Sequence, residues 1–425
     1  MSAQPENAAL ALLPTALGLS AALFVASLVT GLATIYAVPR LLNLFLREGR
    51  HYRLYGVHHF LERSVSGIAN SGFFQLFFGD SVLIEKYLRF SGVKLAPCAT
   101  TGSNFGTEQA FENPFFCEIG AGTVASDGLT MGNVQFSSHA FRIGTARVGA
   151  DSFLGTDVFV PPGARLGDNV MMGTKVMVPV DGPMRENVGL LGSPAFEIPR
   201  AASRDLELIG RLDAAQRRQR LGQKTRHNLA TMAMVLAKGF VAEFVGLYTL
   251  TLTAELYGWR NLWAMSAALA FLAAFTIGLG VLVERAAYGF RRMKPLMATS
   301  YDRAFWQVER YWKLSGSGAH VTFFAGTPFR PMVMRLCGAR VGSCVYDDGV
   351  NMSERTLVEI GDGAVINQGV MLQSHSLEEG CYKSDVIRIG AGATLGVGAF
   401  VHYGVTMGER SRLDPDAFLM KGEIA

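Results

Sequence analysis

Ionisable side chains are concentrated in one short segment near the C-terminus, Q-S-H-S-L-E-E-G-C-Y-K-S-D at 373–385. Attack by an amine on an activated acyl group needs a base for the ammonium proton and donors for the developing oxyanion. His375 is the predicted base. The residues that could orient its ring, hold a cationic acceptor or bind a carboxylate are Asp385, Glu378, Glu379 and Lys383. The alternative is that all of them are solvated loop residues with ordinary pKa values.

A second histidine, His402, is another candidate for the site. It stands at a position where the surrounding repeat prefers glycine. It either belongs to the site or is a corner histidine that tolerates the turn.

The elements that must position these residues are indicated by a repeat. Apolar residues recur every six positions in two stretches, often followed by glycine, and this period predicts a parallel β-helix whose triangular coil takes three short strands. We therefore predict two left-handed parallel β-helix domains, at 92–200 and 338–425. The two apolar series are Val148, Leu154, Val160, Leu166, Met172 and Val178, and Ile389, Leu395, Val401, Met407, Leu413 and Leu419.

The two stretches are offset by a constant 241 residues, which indicates an internal duplication. Both copies interrupt the rhythm at the same point, 131–148 and 372–389, where we expect a loop to leave the coil. The first copy has Val134 at the position of His375, and its own loop offers only His139 and Arg142. We expect the first domain to be a structural or substrate-guiding partner. Stacked coils often self-associate, so a homo-oligomer is expected.

Three apolar stretches predict transmembrane helices at 1–39, 229–256 and 261–283, because each is long enough to cross about 30 Å of hydrocarbon. A signal peptide is the alternative for the first, but basic residues do not precede it. Lys238 and Glu243 lie within the second stretch, where structural pairing is favoured over transport. We expect an interfacial helical linker at 40–91, a basic helical linker at 201–228 and an interfacial linker at 284–337.

Arginines and lysines flank these stretches on one side, after the first span, before the second and after the third. The distribution predicts a multi-pass protein of the inner (cytoplasmic) membrane with both β-helix domains in the cytoplasm. The five cysteines show no C-x-x-C spacing, which predicts neither disulfides nor a metal site. No basic-aromatic pattern for nucleic acid appears. Residues 338–425 are acidic in a chain of net charge +4, which would suit a cationic amine.

The loop at 373–385, followed by I-R-I-G-A-G-A-T-L-G-V-G-A-F-V-H-Y-G-V-T-M-G, resembles the hexapeptide-repeat acyltransferases. It is more specifically similar to the membrane-bound C-terminal part of ε-poly-L-lysine synthetase and related single-module nonribosomal peptide synthetases. Further matching strings are F-A-G-T-P-F at Phe324, Y-D-D-G-V-N-M-S-E-R-T-L at Tyr346, F-L-M-K-G-E at Phe418, G-S-N-F-G at Gly102 and G-L-L-G-S-P-A-F-E-I-P-R at Gly189.

The resemblance implies transmembrane helices alternating with tandem domains that form amide bonds between amino acids. The donor would be an aminoacyl thioester on the phosphopantetheine of a carrier domain, with no cofactor bound by this chain itself. The acceptor would be a free amino acid or the growing chain. By position, His375 matches the loop histidine and Lys383, Ser384 and Asp385 match its K-S-D element. Asp347, Asp348 and Glu354, in the Tyr346 string, are assigned to substrate binding.

The family enzymes also carry adenylation and carrier domains, which this sequence does not contain. The chain is therefore expected to be the C-terminal portion of such an enzyme or a subunit served by other polypeptides. Two other functions stay open. One is an acetyl-CoA-dependent transferase acting on a sugar or small amine, and the other is a non-catalytic membrane scaffold.

Overall fold

The computed structural model describes residues 5–97, 105–200, 210, 212–316, 318–378 and 380–425. Among these residues, three helices are long and six are shorter. The helices are α1 (Pro5–Asn43), α2 (Val57–Ala69), α3 (Gly72–Phe78), α4 (Ile84–Ser91), α5 (Ala214–Tyr257), α6 (Leu262–Ala287), α7 (Arg303–Ser315), α8 (Ala319–Thr322) and α9 (Phe329–Cys337), with 3-10 turns at Pro114–Phe116 and Arg355–Leu357.

Three helices are long and apolar enough to cross a membrane: Ala9–Asn43, Ala214–Tyr257 and Leu262–Ala287, with mean hydropathies of 2.1, 1.5 and 2.2. Most side chains in their most apolar stretches are not covered by the rest of the protein. Such a continuous apolar surface on a helix suits contact with lipid. The prediction of three apolar helices of spanning length is confirmed.

The helix α5 is longer than the sequence predicted, because the basic segment before 229 and the apolar stretch after it form one element. It begins after a capping box, in which Asp213 accepts from the backbone of Gln216 at 2.7 Å and Gln216 accepts from the backbone of Asp213 at 3.1 Å. No proline follows before Tyr257. Nothing therefore breaks the helix where the hydropathy changes.

Helix α1 packs antiparallel to α5. The rings of Phe24 and Phe240 meet edge to face at 5.7 Å, and the Tyr248 hydroxyl donates to the carbonyl of Ala9 at 3.1 Å. The start of α1 thus lies near the C-terminal end of α5, where the turn to α6 begins. The C-terminal end of α1, the start of α5 and the C-terminal end of α6 therefore lie at the same end of the helical bundle.

The strands before α5 form the N-terminal strand set. Three parallel sheets contain β2-β4-β9, β3-β6-β11 and β5-β10-β12-β13, and β14 adds to β13 antiparallel. The strands are β1 (His51–Arg53), β2 (Lys94–Leu95), β3 (Gln109–Phe111), β4 (Cys117–Ile119), β5 (Val124–Ala125), β6 (Leu129–Met131), β7 (Val134–Phe136), β8 (Ala140–Ile143), β9 (Ala146–Val148), β10 (Phe153–Leu154), β11 (Phe159–Val160), β12 (Met171–Met172), β13 (Val188–Leu191) and β14 (Phe196–Pro199).

The strands after α6 form the C-terminal strand set, with three four-stranded parallel sheets, β16-β19-β24-β27, β17-β20-β25-β28 and β18-β21-β26-β29. Among the strands of these sheets, those that follow one another in the chain belong to the first, second and third sheet in turn. The strands are β15 (Leu296–Thr299), β16 (Arg340–Val341), β17 (Tyr346–Asp347), β18 (Asn351–Met352), β19 (Val358–Ile360), β20 (Val365–Ile366), β21 (Met371–Gln373), β22 (His375–Glu378), β23 (Cys381–Ser384), β24 (Ile387–Ile389), β25 (Thr394–Leu395), β26 (Phe400–His402), β27 (Thr406–Met407), β28 (Arg412–Leu413) and β29 (Phe418–Leu419).

The six-residue rhythm corresponds to the core of both sets, since every apolar residue of the two series is buried. The glycines that follow many of these apolar residues are explained by close contacts between neighbouring turns of chain. A Cβ at Gly390 would lie 2.5 Å from the backbone of Gly408, and a Cβ at Gly149 would lie 2.2 Å from the carbonyl of Gly167. Glycine is required there because neighbouring turns of chain approach closely.

The excursions from the repeat are antiparallel hairpins rather than irregular loops. In the C-terminal set β22 pairs with β23, and β15 extends the pair into a three-stranded sheet. In the N-terminal set β7 and β8 pair in the same way, with β1 as the third strand. The third strand lies soon after a long apolar helix in each case. The hairpin that begins at His375 is thus held between the membrane-proximal segment and the strand set.

Candidate functional site

His375 opens strand β22 beside a buried carboxylate. Its Nδ1 lies 2.8 Å from Oε1 of Glu354, although the N–H direction is not well aligned with that oxygen. The Glu354 side chain is fully buried, whereas the His375 side chain keeps 15% of its surface exposed. A solvent-accessible imidazole backed by a buried carboxylate is the arrangement of a histidine oriented for proton transfer.

Glu354 is held from both of its oxygens. Ser353 donates its hydroxyl to Oε2 at 2.6 Å, and the indole of Trp312 donates to Oε1 at 2.6 Å. The Ser353 hydroxyl also accepts from the backbone of Ser374 at 3.0 Å, which fixes the start of the hairpin beside Glu354. Position 354 comes just before a 3-10 turn, so its side chain points from a corner of the strand set towards β22.

Burial raises the pKa of the Glu354 carboxyl, but the charge and contact of His375 and the hydrogen bonds from Ser353 and Trp312 outweigh it, so its pKa is lowered. The carboxyl is therefore ionised at neutral pH. An ionised acceptor at Nδ1 favours the tautomer that carries its proton there. This tautomer leaves a lone pair on Nε2, which can accept a proton from a substrate amine.

Two aromatic rings fix the imidazole plane. The ring of Trp312 lies 4.6 Å from the ring of His375, and that of Tyr382 stacks on it at 5.4 Å. Trp312 comes from α7, which packs on the hairpin through Phe305 and Tyr382, with ring centroids 5.1 Å apart. The amphipathic helix after the third apolar span thus positions the candidate base.

His375 lines a cavity of about 570 Å³ between the two strand sets. A volume of this size is within the range of small-molecule sites. Among the sequence-predicted site residues that the structure describes, His375 is the one in the cavity wall. The N-terminal half contributes Asp80, Glu108, Asp127 and Thr156 to the same wall.

His402 lies near this site but is enclosed. It is 5% exposed, and its ring meets Phe400 and Phe418 edge to face. Burial lowers the pKa of His402 to about 3, assisted by the charges of Lys421 and His375. The imidazole is neutral across the physiological range and packs among aromatic rings.

The acidic residues that were expected to orient His375 lie elsewhere. Glu378 forms an ion pair with Lys421, and Asp385 is exposed, where its carboxylate accepts from the backbone of Val386 at 2.7 Å. Glu379 lies outside the described residues. In this structure the carboxylate at the ring is Glu354, which the sequence had assigned to substrate binding.

The remaining predicted site residues do not line this cavity. The Ser384 hydroxyl accepts from the backbone of Leu296 at 3.2 Å, and Lys383 pairs in register with Met297 and is partly exposed. Asp347 is buried against Arg330 at 2.8 Å, and Asp348 beside it is partly exposed. Their roles in substrate binding stay predictions.

Trp312 and Ser353 were not found from the sequence. Trp312 is far from His375 along the chain, and its contact exists only because α7 folds onto the hairpin. Ser353 precedes Glu354 in the Tyr346 string, so the string itself was the available signal.

The N-terminal set lacks the pair of base and carboxylate. At the equivalent positions, 241 residues earlier, Val134 replaces His375 and Asn113 replaces Glu354. Val134 is buried, and Asn113 donates to Asn43 at 3.1 Å. His139 lies exposed at the hairpin tip. The equivalent position in the N-terminal set therefore offers no imidazole.

Three groups that can ligate a metal, Glu284, His320 and Cys337, lie together and buried, with their ligand atoms within 4.8 Å of one another. The Glu284 carboxylate is, however, already bound by Arg355 at 2.6 Å and by the Tyr311 hydroxyl at 2.8 Å. Burial raises the pKa of the Cys337 thiol to about 12, which opposes a thiolate ligand. The cluster has the contacts of a buried ion-pair network.

No protein-family model matches the chain. Among solved structures, a maltose O-acetyltransferase from Clostridium difficile 630 is 15% identical and covers 41% of this chain and 88% of its own, with a TM-score of 0.21. The serine acetyltransferase isoform 3 of Entamoeba histolytica is 16% identical over 44% of this chain and 73% of its own, with a TM-score of 0.14. TM-scores this low identify neither a fold nor an activity.

A curated protein shows a sequence relationship. The delta-poly-L-ornithine synthetase of Acinetobacter baumannii (strain AB307-0294) is 24% identical over 328 residues, which are 73% of this chain and 23% of that protein. By sequence, the chain is thus a distant relative of a poly-amino-acid synthetase and spans about a quarter of its length.

Proposed function

We propose that this chain is the amide-bond-forming aminoacyltransferase part of a membrane-bound poly-amino-acid synthetase, with His375 as the base. The observation that carries the proposal is the ionised, fully buried Glu354 at 2.8 Å from His375, on the wall of a cavity formed by both strand sets. The distant relationship to a poly-amino-acid synthetase supports the same function.

The fold assigned to this function is two tandem left-handed parallel β-helix domains, at 92–200 and 338–425. The six-residue period of buried apolar residues and the succession of three parallel sheets support the assignment. The offset of 241 residues also supports it, since β4, β7, β8 and β9 repeat as β19, β22, β23 and β24 at that spacing.

The reaction begins with Nε2 of His375 removing a proton from the acceptor ammonium. The free amine attacks the carbonyl carbon of an aminoacyl thioester, a C–N bond forms and the C–S bond breaks. His375 then donates its proton to the leaving thiolate, and the second amine proton goes to solvent. Glu354 stabilises the imidazolium during the exchange and keeps the ring in the reactive orientation.

The donor is assigned to a phosphopantetheine-bearing carrier domain, and adenylation and carrier domains are the proposed partners. The proposal is supported by the relative, which is far longer than this chain. The acceptor is a cationic amino acid or the growing chain, as the acidic character of 338–425 suggests.

The location that we propose is the inner membrane, with both strand sets in the cytoplasm. Two observations support this orientation. Basic residues cluster after Asn43, at the start of α5 and after Ala287. The antiparallel packing of α1 on α5 brings these three clusters to one end of the helices.

The test is reconstitution of the purified chain with loaded carriers and free amino acids, with mass spectrometry of the products. His375→Ala should abolish amide formation while membrane insertion stays intact. His139→Ala, in the equivalent hairpin of the N-terminal set, is the matched control and should leave the rate unchanged. Unchanged turnover in His375→Ala would remove His375 from the mechanism, and product from acetyl-CoA alone would favour a different transferase.

A further inference from the structure

The two walls of the cavity between the strand sets differ in charge: one wall carries basic residues and the other carries carboxylates. On the C-terminal side its basic residues are Arg330, Arg355 and His375. Each already faces a buried carboxylate outside the cavity lining, at 2.8, 2.6 and 2.8 Å respectively. This wall therefore has little positive charge left for a ligand.

On the N-terminal side the lining contains three carboxylates, Asp80, Glu108 and Asp127. Glu108 is exposed, and Asp127 uses Oδ1 to accept from the backbone of Thr107 and Glu108. Asp80 differs from both because only 5% of its surface is exposed. Among the described residues, its carboxylate has no hydrogen-bond or ion-pair partner.

The buried Lys313 does not neutralise Asp80 by contact. Lys313 donates instead to the carbonyl oxygens of Phe77 and Gly79, at 3.1 Å for Phe77. The buried Lys224 is paired with Glu309 at 2.8 Å. The Asp80 oxygens are not among the fully buried, unpaired side-chain atoms, so they are open to the cavity that Asp80 lines. A donor inside that cavity therefore satisfies them, and an ammonium group is a donor of opposite charge.

A second acceptor in the same cavity is also without a donor. Gln373 is 7% exposed, and its Nε2 donates to Oγ1 of Thr156 at 3.3 Å. Its Oε1 is buried and, within the described part of the chain, unpaired. Gln373 is two residues before His375 on the same strand segment. Two residues with acceptors that lack a protein donor thus line one cavity, which matches a ligand rich in N–H donors, and an ammonium group has three.

We infer that Asp80, together with Oε1 of Gln373, binds the side-chain ammonium group of a diamino-acid acceptor, so that the α-amine of the acceptor reaches His375. The inference rests on the proposed function and assigns part of the site to the segment between α3 and α4 of the N-terminal half. Asp80 is then a specificity-determining residue, contributed by the half that lacks its own imidazole. One chain supplies both parts of the site.

Binding should be coupled to a proton. Burial raises the pKa of Asp80 well above its usual range, Asp127 and Glu309 add to this, and Lys313 and Lys224 oppose it. A cation placed against the carboxyl favours its ionised form. Binding of the ammonium ligand is therefore accompanied by proton release, which calorimetry in buffers of different ionisation enthalpy detects.

The experiment is calorimetry on the full chain in detergent with L-ornithine and with L-norvaline, which lacks the side-chain amine. The wild-type protein should bind L-ornithine more tightly. Asp80→Asn should raise the Kd for L-ornithine about tenfold or more, abolish the proton release and leave binding of L-norvaline unchanged. Asp80→Glu should recover part of the affinity. Asp414→Asn, an exposed carboxylate paired with Arg412, is the control and should behave as wild type.

An unchanged Kd in Asp80→Asn, or equal binding of the two amino acids by the wild-type protein, overturns the inference. If Asp80→Asn does not fold, Gln373→Leu and the wild-type comparison decide, and Gln373→Leu should also weaken L-ornithine selectively. The proposed function fails separately. Amide formation that is indifferent to Asp80→Asn rejects the subsite alone, whereas selective L-ornithine binding without any amide product rejects the transferase alone.

Discussion

Gln373 of the C-terminal strand set donates to the hydroxyl of Thr156 in the N-terminal set, at 3.3 Å and only two residues before His375. Lys175 adds a second link, from its ammonium to the carbonyl of Gly398 at 2.8 Å. The strand that carries the candidate base is thus fixed against the opposite wall of the cavity. A site divided between two halves of a chain needs such links, because catalysis depends on sub-ångström placement of the reacting groups.

Replacing Glu354 by Gln should lower kcat by about a hundredfold or more while the protein still folds. The amide keeps an oxygen near His375 but loses the charge that stabilises the imidazolium. The measurement is the steady-state rate of amide formation by the reconstituted chain. Glu359→Gln is the matched control, because Glu359 pairs with Arg340 at 2.6 Å outside the cavity. Equal rates in the two variants would show that the buried carboxylate does not assist the base.

The sequence predicted the local parts of this structure well. Buried residues at a period of six, such as Ile389 and Leu395, are a property of the strands themselves, and apolar stretches of spanning length are visible in composition alone. The 241-residue offset predicted from the sequence also separates equivalent strands, since β9 begins at Ala146 and β24 begins at Ile387.

The sequence did not predict the partner of His375. Asp385 and Glu378 are near in sequence, but β22 and β23 form a hairpin, and in it the Glu378 side chain reaches Lys421. Glu354 meets the imidazole only because its corner lies beside the start of the hairpin. Trp312 and Asp80 reach the cavity through packing of separate helical segments, which no periodicity in the sequence encodes.

Trp312→Phe should reduce kcat by about tenfold, less than the loss of Glu354, because it removes one donor to the carboxylate and keeps an aromatic ring against His375. Trp312→Leu should reduce it further, since the ring contact at 4.6 Å is lost as well. Trp306→Phe is a control in the same helix, where the indole donates to the carbonyl of Ser300 at 3.0 Å. A rate in Trp312→Phe equal to that of Trp306→Phe would contradict the role of this donor.

The orientation in the membrane can be read from native cysteines. Cys344 is exposed, Cys117, Cys337 and Cys381 are buried, and Cys98 lies outside the described residues. In a Cys98→Ser background, a membrane-impermeant maleimide should label Cys344 in inverted vesicles and not in right-side-out ones. Trp259→Cys, at the turn between α5 and α6, should show the reverse. Labelling of both positions from the same side would reject three spans with cytoplasmic strand sets.

The pH dependence of stability should reveal one buried acid in the N-terminal half. Glu62 is fully buried, and among the described residues neither of its oxygens has a hydrogen-bond partner. Burial raises the pKa of Glu62 to about 7, Glu112 adds to this and Arg63 opposes it. Between the unfolded value of 4.5 and about 7, the folded state holds a proton that the unfolded state has lost. The free energy of unfolding therefore falls as pH rises through this window.

Glu62→Gln should remove that contribution, because the amide is neutral at every pH and has nearly the same shape. Thermal unfolding in detergent should then give a Tm that falls less between pH 5 and pH 8, with the variant above the wild type at about pH 8. The exposed Glu409 provides the control, since Glu409→Gln should follow the wild-type slope. Parallel Tm curves for wild type and Glu62→Gln would mean that Glu62 does not hold its proton in the folded protein.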